Sequence, residues 1–121
     1  TIVDLAGLPV PLSMQGRSLI PAMNGRPPGW REEFFYEHLF EHNKIPKVEG
    51  VRTQRYKYVT YPEHSEYEAL YDLKSDPHER NNIAQQIWEI TDEMQDKKKA
   101  WREALNTWDP YDQTPWKEPV E

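Results

Sequence analysis

The sequence predicts an α+β fold: a small four-stranded antiparallel sheet packed against one long C-terminal helix, preceded by an extended arm with a short helix. Three observations predict it. Four short runs rich in aromatic and β-branched residues fall between residues 33 and 73. From residue 83 onward the apolar side chains recur at helical spacing instead. Ahead of both, residues 1–30 are interrupted by proline at 9, 11, 21, 27 and 28, which suits an arm rather than a packed element.

Along the chain, Thr1 to Gly7 fits the last two turns of a helix closed by a C-terminal glycine, and Leu8-Pro9-Val10-Pro11 leaves it extended. Ser18 is a candidate cap for a helix of one or two turns, with Pro21 near its start and Asn24-Gly25 at its end. Glu33 to His38 is the first strand. Gly50 to Thr53 and Lys57 to Tyr61 form a hairpin around Gln54-Arg55 with one wet face, and Ala69 to Leu73 is the last strand. Ser75-Asp76-Pro77 is a turn. Ile83, Ile87, Ile90, Met94, Trp101, Leu105 and Trp108 then mark one face of a helix of about 22–26 residues, ~33–39 Å at 1.5 Å per residue. The opposite face carries Asp92, Glu93, Asp96, Lys97 to Lys99 and Glu103 and is expected to be solvated. The tail 109–121 has no period; an irregular strap is expected, with Tyr111 and Trp116 as anchors.

Composition narrows the function classes. The 121 residues suit one domain and are too few for a barrel enzyme of roughly 250 residues. Leu, Ile, Val and Phe supply 23 positions, just under the rough 20% line below which disorder becomes the default. Five Trp and seven Tyr restore a core, each burying about 150–250 Å², although one face is expected to need a neighbour. The charge of −6, with 21 acidic against 15 basic residues of mixed distribution, leaves no basic footprint for nucleic acid. No run approaches the ~18 apolar residues of a membrane span. The absence of cysteine excludes disulfides, thiolate metal sites and a cysteine nucleophile.

Chemistry-bearing residues concentrate after the first strand. His38-x-x-Glu41-His42 matches an inverted zinc-peptidase pattern, which needs a helix to place both imidazoles on one metal. Phe34-Phe35-Tyr36 before it and Ile45-Pro46 after it favour a strand running into a loop. The other readings are a solvated strand end and a substrate-contacting loop. Arg52, Arg55 and Lys57 lie within six residues, as an anion-contacting edge or a solvated face paired with glutamates. His64 and His78 fall in polar turns, read as surface. Neither a phosphate loop nor an activated serine is present.

Four ordered segments carry more than any single cluster. Thr1-Ile2-Val3-Asp4-Leu5-Ala6-Gly7-Leu8-Pro9-Val10-Pro11 is followed by Met14-Gln15-Gly16-Arg17-Ser18-Leu19 and then by Gly50-Val51-Arg52-Thr53-Gln54-Arg55-Tyr56-Lys57-Tyr58. The fourth is Leu70-Tyr71-Asp72-Leu73-x-x-Asp76-Pro77-x-Glu79-x-x-Asn82-Ile83-Ala84. Together they resemble the C-terminal end of the type I sulfatases, of the alkaline-phosphatase-like superfamily.

The resemblance implies a C-terminal subdomain at 31–108, an arm at 1–30 leading from a missing N-terminal catalytic domain, and an irregular tail at 109–121. It implies hydrolysis of sulfate esters by the whole enzyme, through a formylglycine made from Cys or Ser in C/S-x-P-x-R, with Ca²⁺ held by Asp and Asn side chains. That motif is absent from this sequence, and the metal ligands belong to the other domain, so neither catalytic nor metal residues are expected here. The implied partners are the catalytic domain and a sulfated small molecule or glycan, with a periplasmic or extracellular location. His38, Glu41, His42, Lys44, Lys47 and Arg52 are the candidate substrate contacts. The alternatives are a fragment of a related phosphonate or phosphate hydrolase and a free-standing interaction module.

Overall fold

The computed structural model describes residues 1–25, 27–40 and 42–107. Its elements run in the order α1 (Ile2–Leu5), α2 (Ile20–Met23), β1 (Glu33–His38), β2 (Val48–Thr53), β3 (Tyr56–Thr60), a 3-10 turn at Ser65–Tyr67, β4 (Ala69–Asp72) and α3 (Trp88–Thr107). The chain divides into two compact units, one holding Thr1–Trp30, the other Arg31–Trp101.

In the first unit α1 is a single turn, closed when Leu5 N–H donates to the Thr1 carbonyl at 2.8 Å. Gly7 leaves it with φ 68°, the left-handed conformation that a side chain would oppose. The Thr1 hydroxyl oxygen accepts the Leu19 N–H at 2.8 Å, which ties the start of α1 to the start of α2. Leu19, rather than Ser18, is the cap residue of α2, and the Ser18 hydroxyl lies 3.4 Å from the Ile20 nitrogen. Ile2, Leu5 and Met23 are exposed by 84%, 68% and 71%, so this unit leaves much of its apolar surface uncovered.

The second unit is a meander, with β1-β2-β3-β4 in order and every pair antiparallel. The register aligns Phe35, Val51, Tyr58 and Leu70 across the four strands. Val51, Tyr58 and Leu70 on that face are buried, as are Met94 and Trp101 of α3, each aliphatic among them contributing about 1.5–3 kcal/mol. Contacts from α3 reach the same face. Lys97 pairs with Glu33 at 2.9 Å, Trp101 Nε1–H donates to Glu33 at 2.9 Å, and Lys98 Nζ donates to the Thr60 hydroxyl at 2.7 Å.

Lys97 and Lys98 therefore depart from the expected solvated face. Their aliphatic stems run over the sheet and the ammonium groups end on acceptors at its rim, and burial pulls the Lys98 ammonium below its ordinary value. The other sheet face carries Phe34, Tyr36, Arg52, Lys57, Val59 and Tyr71. There the Tyr36 ring lies over Gly50 and its hydroxyl donates to the Tyr58 carbonyl at 3.2 Å.

The long helix begins at Trp88, five residues later than the apolar spacing predicts. Asn82 and Ile83 are committed to β4 instead. The Asn82 side-chain oxygen accepts the N–H groups of Leu70 and Ala84, both at 3.0 Å, while its amide nitrogen donates to the Glu68 carbonyl at 2.9 Å. Ile83 N–H donates to the Leu70 carbonyl at 2.9 Å. This segment thus closes the outer edge of β4. The buried row is Ala84, Thr91, Met94 and Trp101, and Ile87 is 37% exposed. Trp108 and the tail with Tyr111 and Trp116 lie outside the described residues.

Candidate functional site

In a meander, alternate loops emerge at the same end of the sheet. The β1–β2 loop, leaving His38 and returning at Val48, therefore meets the β3–β4 loop, which leaves Thr60 and returns at Ala69. Between them lies a cavity of about 480 Å³, within the size range of small-molecule sites. One wall comes from His42, Lys44 and Lys47, and the other from Glu63, His64 and Tyr67.

Local turns fix both walls. His42 bridges to Ile45, whose N–H donates to the His42 carbonyl at 3.2 Å. Lys44 N–H donates to His42 Nδ1 at 3.1 Å, which leaves Nε2 as the ring nitrogen that carries a proton. Across the cavity, Tyr67 N–H donates to the His64 carbonyl at 3.0 Å. The His64 ring stacks on Tyr67 at 5.1 Å and 27°, and Tyr61 meets Tyr67 edge-on at 5.9 Å and 87°. Lys47 Nζ joins the walls by an ion pair to Glu63 at 2.8 Å, and that hydrogen bond holds the Glu63 carboxyl below its usual value. His64 Nδ1 lies 3.2 Å from Glu66.

Of the residues singled out from the sequence, His42, Lys44 and Lys47 are brought together. His38 ends β1 outside the cavity and connects to it through ring contacts, His38 to Phe40 at 6.3 Å and Phe40 to His42 at 6.5 Å. Arg52 lies four residues along β2 from the loop, roughly 13 Å at the rise of a strand. Glu41 lies outside the described residues. The sequence reading missed Glu63, His64 and Tyr67 as a second wall. Their signal was the meander itself, which stacks the first and third loops at one end.

The cavity offers cations, a carboxylate, imidazoles and an aromatic ring, and among the described residues no serine, threonine or cysteine lines it. The zinc-peptidase spacing is not realised, since His38 ends a strand and His42 begins a turn. No group of three or more His, Cys, Asp or Glu among the described residues is placed to hold a metal ion. These residues do not fit a calcium site.

The motifs that carried the resemblance hold the fold together. Thr53 Oγ1 accepts the N–H groups of Arg55 and Tyr56 at 3.3 and 2.9 Å and shapes the hairpin turn. The Asp76 carboxylate accepts the N–H groups of Arg80 and Asn81 at 2.7 and 2.8 Å. Glu79, at φ 54°, pairs with Lys57 at 2.5 Å.

A four-stranded antiparallel meander with one helix across a face, carrying the four ordered motifs, is the C-terminal region of a sulfatase. The family described as "N-sulphoglucosamine sulphohydrolase, C-terminal" matches residues 1–106, and the chain belongs to it. It is 35% identical over 89 residues to an N-acetylglucosamine-6-O-sulfatase of Bacteroides thetaiotaomicron, covering 69% of this chain and 16% of that protein. It is 32% identical over 107 residues to arylsulfatase K of Bos taurus, covering 80% and 19%. The chain thus spans less than a fifth of the length of these relatives. Among solved structures, one in complex with its substrate D-glucosamine-2-N,6-O-disulfate superposes with TM-score 0.79 at 27% identity, over 94% of this chain and 24% of that one. A phosphonate monoester hydrolase of Agrobacterium radiobacter superposes with TM-score 0.55 at 28% identity, over 82% and 22%.

Proposed function

We propose that this chain is the substrate-selecting end of a carbohydrate sulfatase, a sulfuric ester hydrolase whose N-terminal catalytic domain supplies the nucleophile and the calcium, and that it is inactive alone. The observation that carries the reading is the convergence of His42, Lys44 and Lys47 on one cavity with Glu63, His64 and Tyr67. His42 Nε2–H and the Lys44 ammonium are donors for sulfate or carboxylate oxygens. Glu63, held in place by Lys47, accepts from sugar hydroxyls. The relative named N-acetylglucosamine-6-O-sulfatase and the structure in complex with D-glucosamine-2-N,6-O-disulfate favour a sulfated amino sugar as substrate.

The exposed apolar residues of the arm, Ile2, Leu5 and Met23 among them, suit a contact with the catalytic domain. His38 and Glu41 belong to the same contact loop, and Arg52 to the approach along the sheet. A periplasmic or extracellular location accords with the class.

The test is alanine substitution of His42 and of Lys44 in the full-length protein, with N-acetylglucosamine 6-sulfate as substrate. Each is expected to lower kcat/KM about tenfold, ~1.4 kcal/mol in the barrier. Retention within about twofold would make the loop structural. The likeness to the phosphonate monoester hydrolase supports a second reading, a phosphonate or phosphate ester hydrolase. Faster turnover of a phosphonate monoester, such as the phenyl ester of methylphosphonate, than of any sulfate ester would establish it.

A further inference from the structure

We propose that Tyr67, backed by His64, is the surface on which the sugar ring of the substrate lies, a specificity-determining contact that rests on the saccharide reading above. Tyr67 is 55% exposed, yet it is held firmly. His64 stacks on its ring, Tyr61 meets it edge-on, and the 3-10 turn Ser65–Tyr67 fixes its backbone.

A ring ordered by two aromatic neighbours but left open to a cavity has little conformational entropy to lose on binding. One exposed tyrosine is commonplace. Here the ring is surrounded by groups that bond to hydroxyl and sulfate. Glu63 pairs with Lys47 at 2.8 Å, and Lys44 has no ion-pair partner among the described residues.

A pyranose has the matching character. Its C–H groups form an apolar face with partial positive charge, which suits the negative face of an aromatic ring, while its hydroxyls and sulfates project from the rim toward such donors and acceptors. Neither half of the site supplies a buried residue to the sheet, whose core is Val51, Tyr58 and Leu70 on one face and Val59 and Ala69 on the other.

Tyr67→Ala, Tyr67→Leu and Tyr67→Phe in the full-length protein test the assignment, using two measurements. The first is steady-state hydrolysis of N-acetylglucosamine 6-sulfate, and the second is saturation-transfer NMR of N-acetylglucosamine, which needs no turnover. Alanine and leucine are expected to raise KM at least fivefold with kcat within twofold and to abolish the transfer, whereas phenylalanine keeps both within twofold of wild type. A KM within twofold for alanine and leucine, a loss confined to kcat, or transfer that survives without the ring would overturn the assignment. If the wild type hydrolyses no sulfate ester, the sulfatase reading fails by itself, and the NMR comparison still decides Tyr67.

Discussion

The Arg55 guanidinium meets the Asp72 carboxylate through two parallel hydrogen bonds, Nε at 3.1 Å and Nη2 at 2.8 Å, joining the β2–β3 turn to the end of β4. Asp72 also accepts the Lys74 N–H at 3.1 Å, and the Arg55 carbonyl accepts the Leu73 N–H at 2.7 Å. The four contacts clamp the end of the sheet remote from the cavity.

The clamp has a pH signature. Hydrogen bonding to Arg55 lowers the Asp72 carboxyl from 3.8 to about 2. Its contribution to stability is complete above about 3.8. As pH falls through that window the unfolded chain takes up a proton that the folded chain does not, and the contribution is lost. Asp72→Asn is therefore expected to unfold at lower urea than wild type at pH 7, with the gap closing between about pH 4 and pH 2. A gap of equal size at both pH values would show that the pair is not its source.

Gly50 is the only residue that fits its position. A Cβ there would fall inside van der Waals distance of the Tyr58 carbonyl oxygen and the Tyr36 hydroxyl. Backbone cannot yield as a flexible side chain can, so Gly50→Ala is expected to cost about 3 kcal/mol or more, read as a lowered unfolding midpoint. The double variant with Tyr36→Phe should recover only part of the loss, since the Tyr58 carbonyl remains in the way.

Asn82 does the work of a fifth strand with one side chain. Replacing it with alanine leaves the Leu70 N–H without its acceptor beside a fully buried side chain, and removes bonds to Ala84 and Glu68 as well. A loss of about 2–3 kcal/mol is expected. Hydrogen exchange would locate it, because the Leu70 amide should lose protection before the amides shared by β2 and β3.

Met94 marks where α3 meets the sheet, at 1% exposure. Met94→Ala is expected to cost about 2–5 kcal/mol and Met94→Leu less than ~1.5 kcal/mol. Equal costs in thermal unfolding would mean that the site is governed by something other than volume.

Much of this was legible locally. The four strands and the turn at Gln54-Arg55 follow from β-branched and aromatic runs, and the end of α1 from Gly7, although α1 is one turn where two were expected. The start of α3 was not, because Ile83 and Ile87 fall at helical spacing while Asn82 and Ile83 bond to β4, a tertiary demand that periodicity does not encode. Lys97 and Lys98 were misread for the same kind of reason, since charge predicts where an ammonium ends and not where its stem runs. The cavity was half legible. His42, Lys44 and Lys47 are neighbours in sequence, whereas His64 and Tyr67 join them only once the strands pair.

The Arg55–Asp72 clamp and the two cavity loops occupy opposite ends of the same four strands. If the proposed role of the loops holds, recognition can be rewritten without disturbing the joint that keeps the strands in register. Transplanting residues 39–47 and 61–68 between relatives is then expected to change selectivity, and the two segments must travel together because Lys47 and Glu63 join one loop to the other.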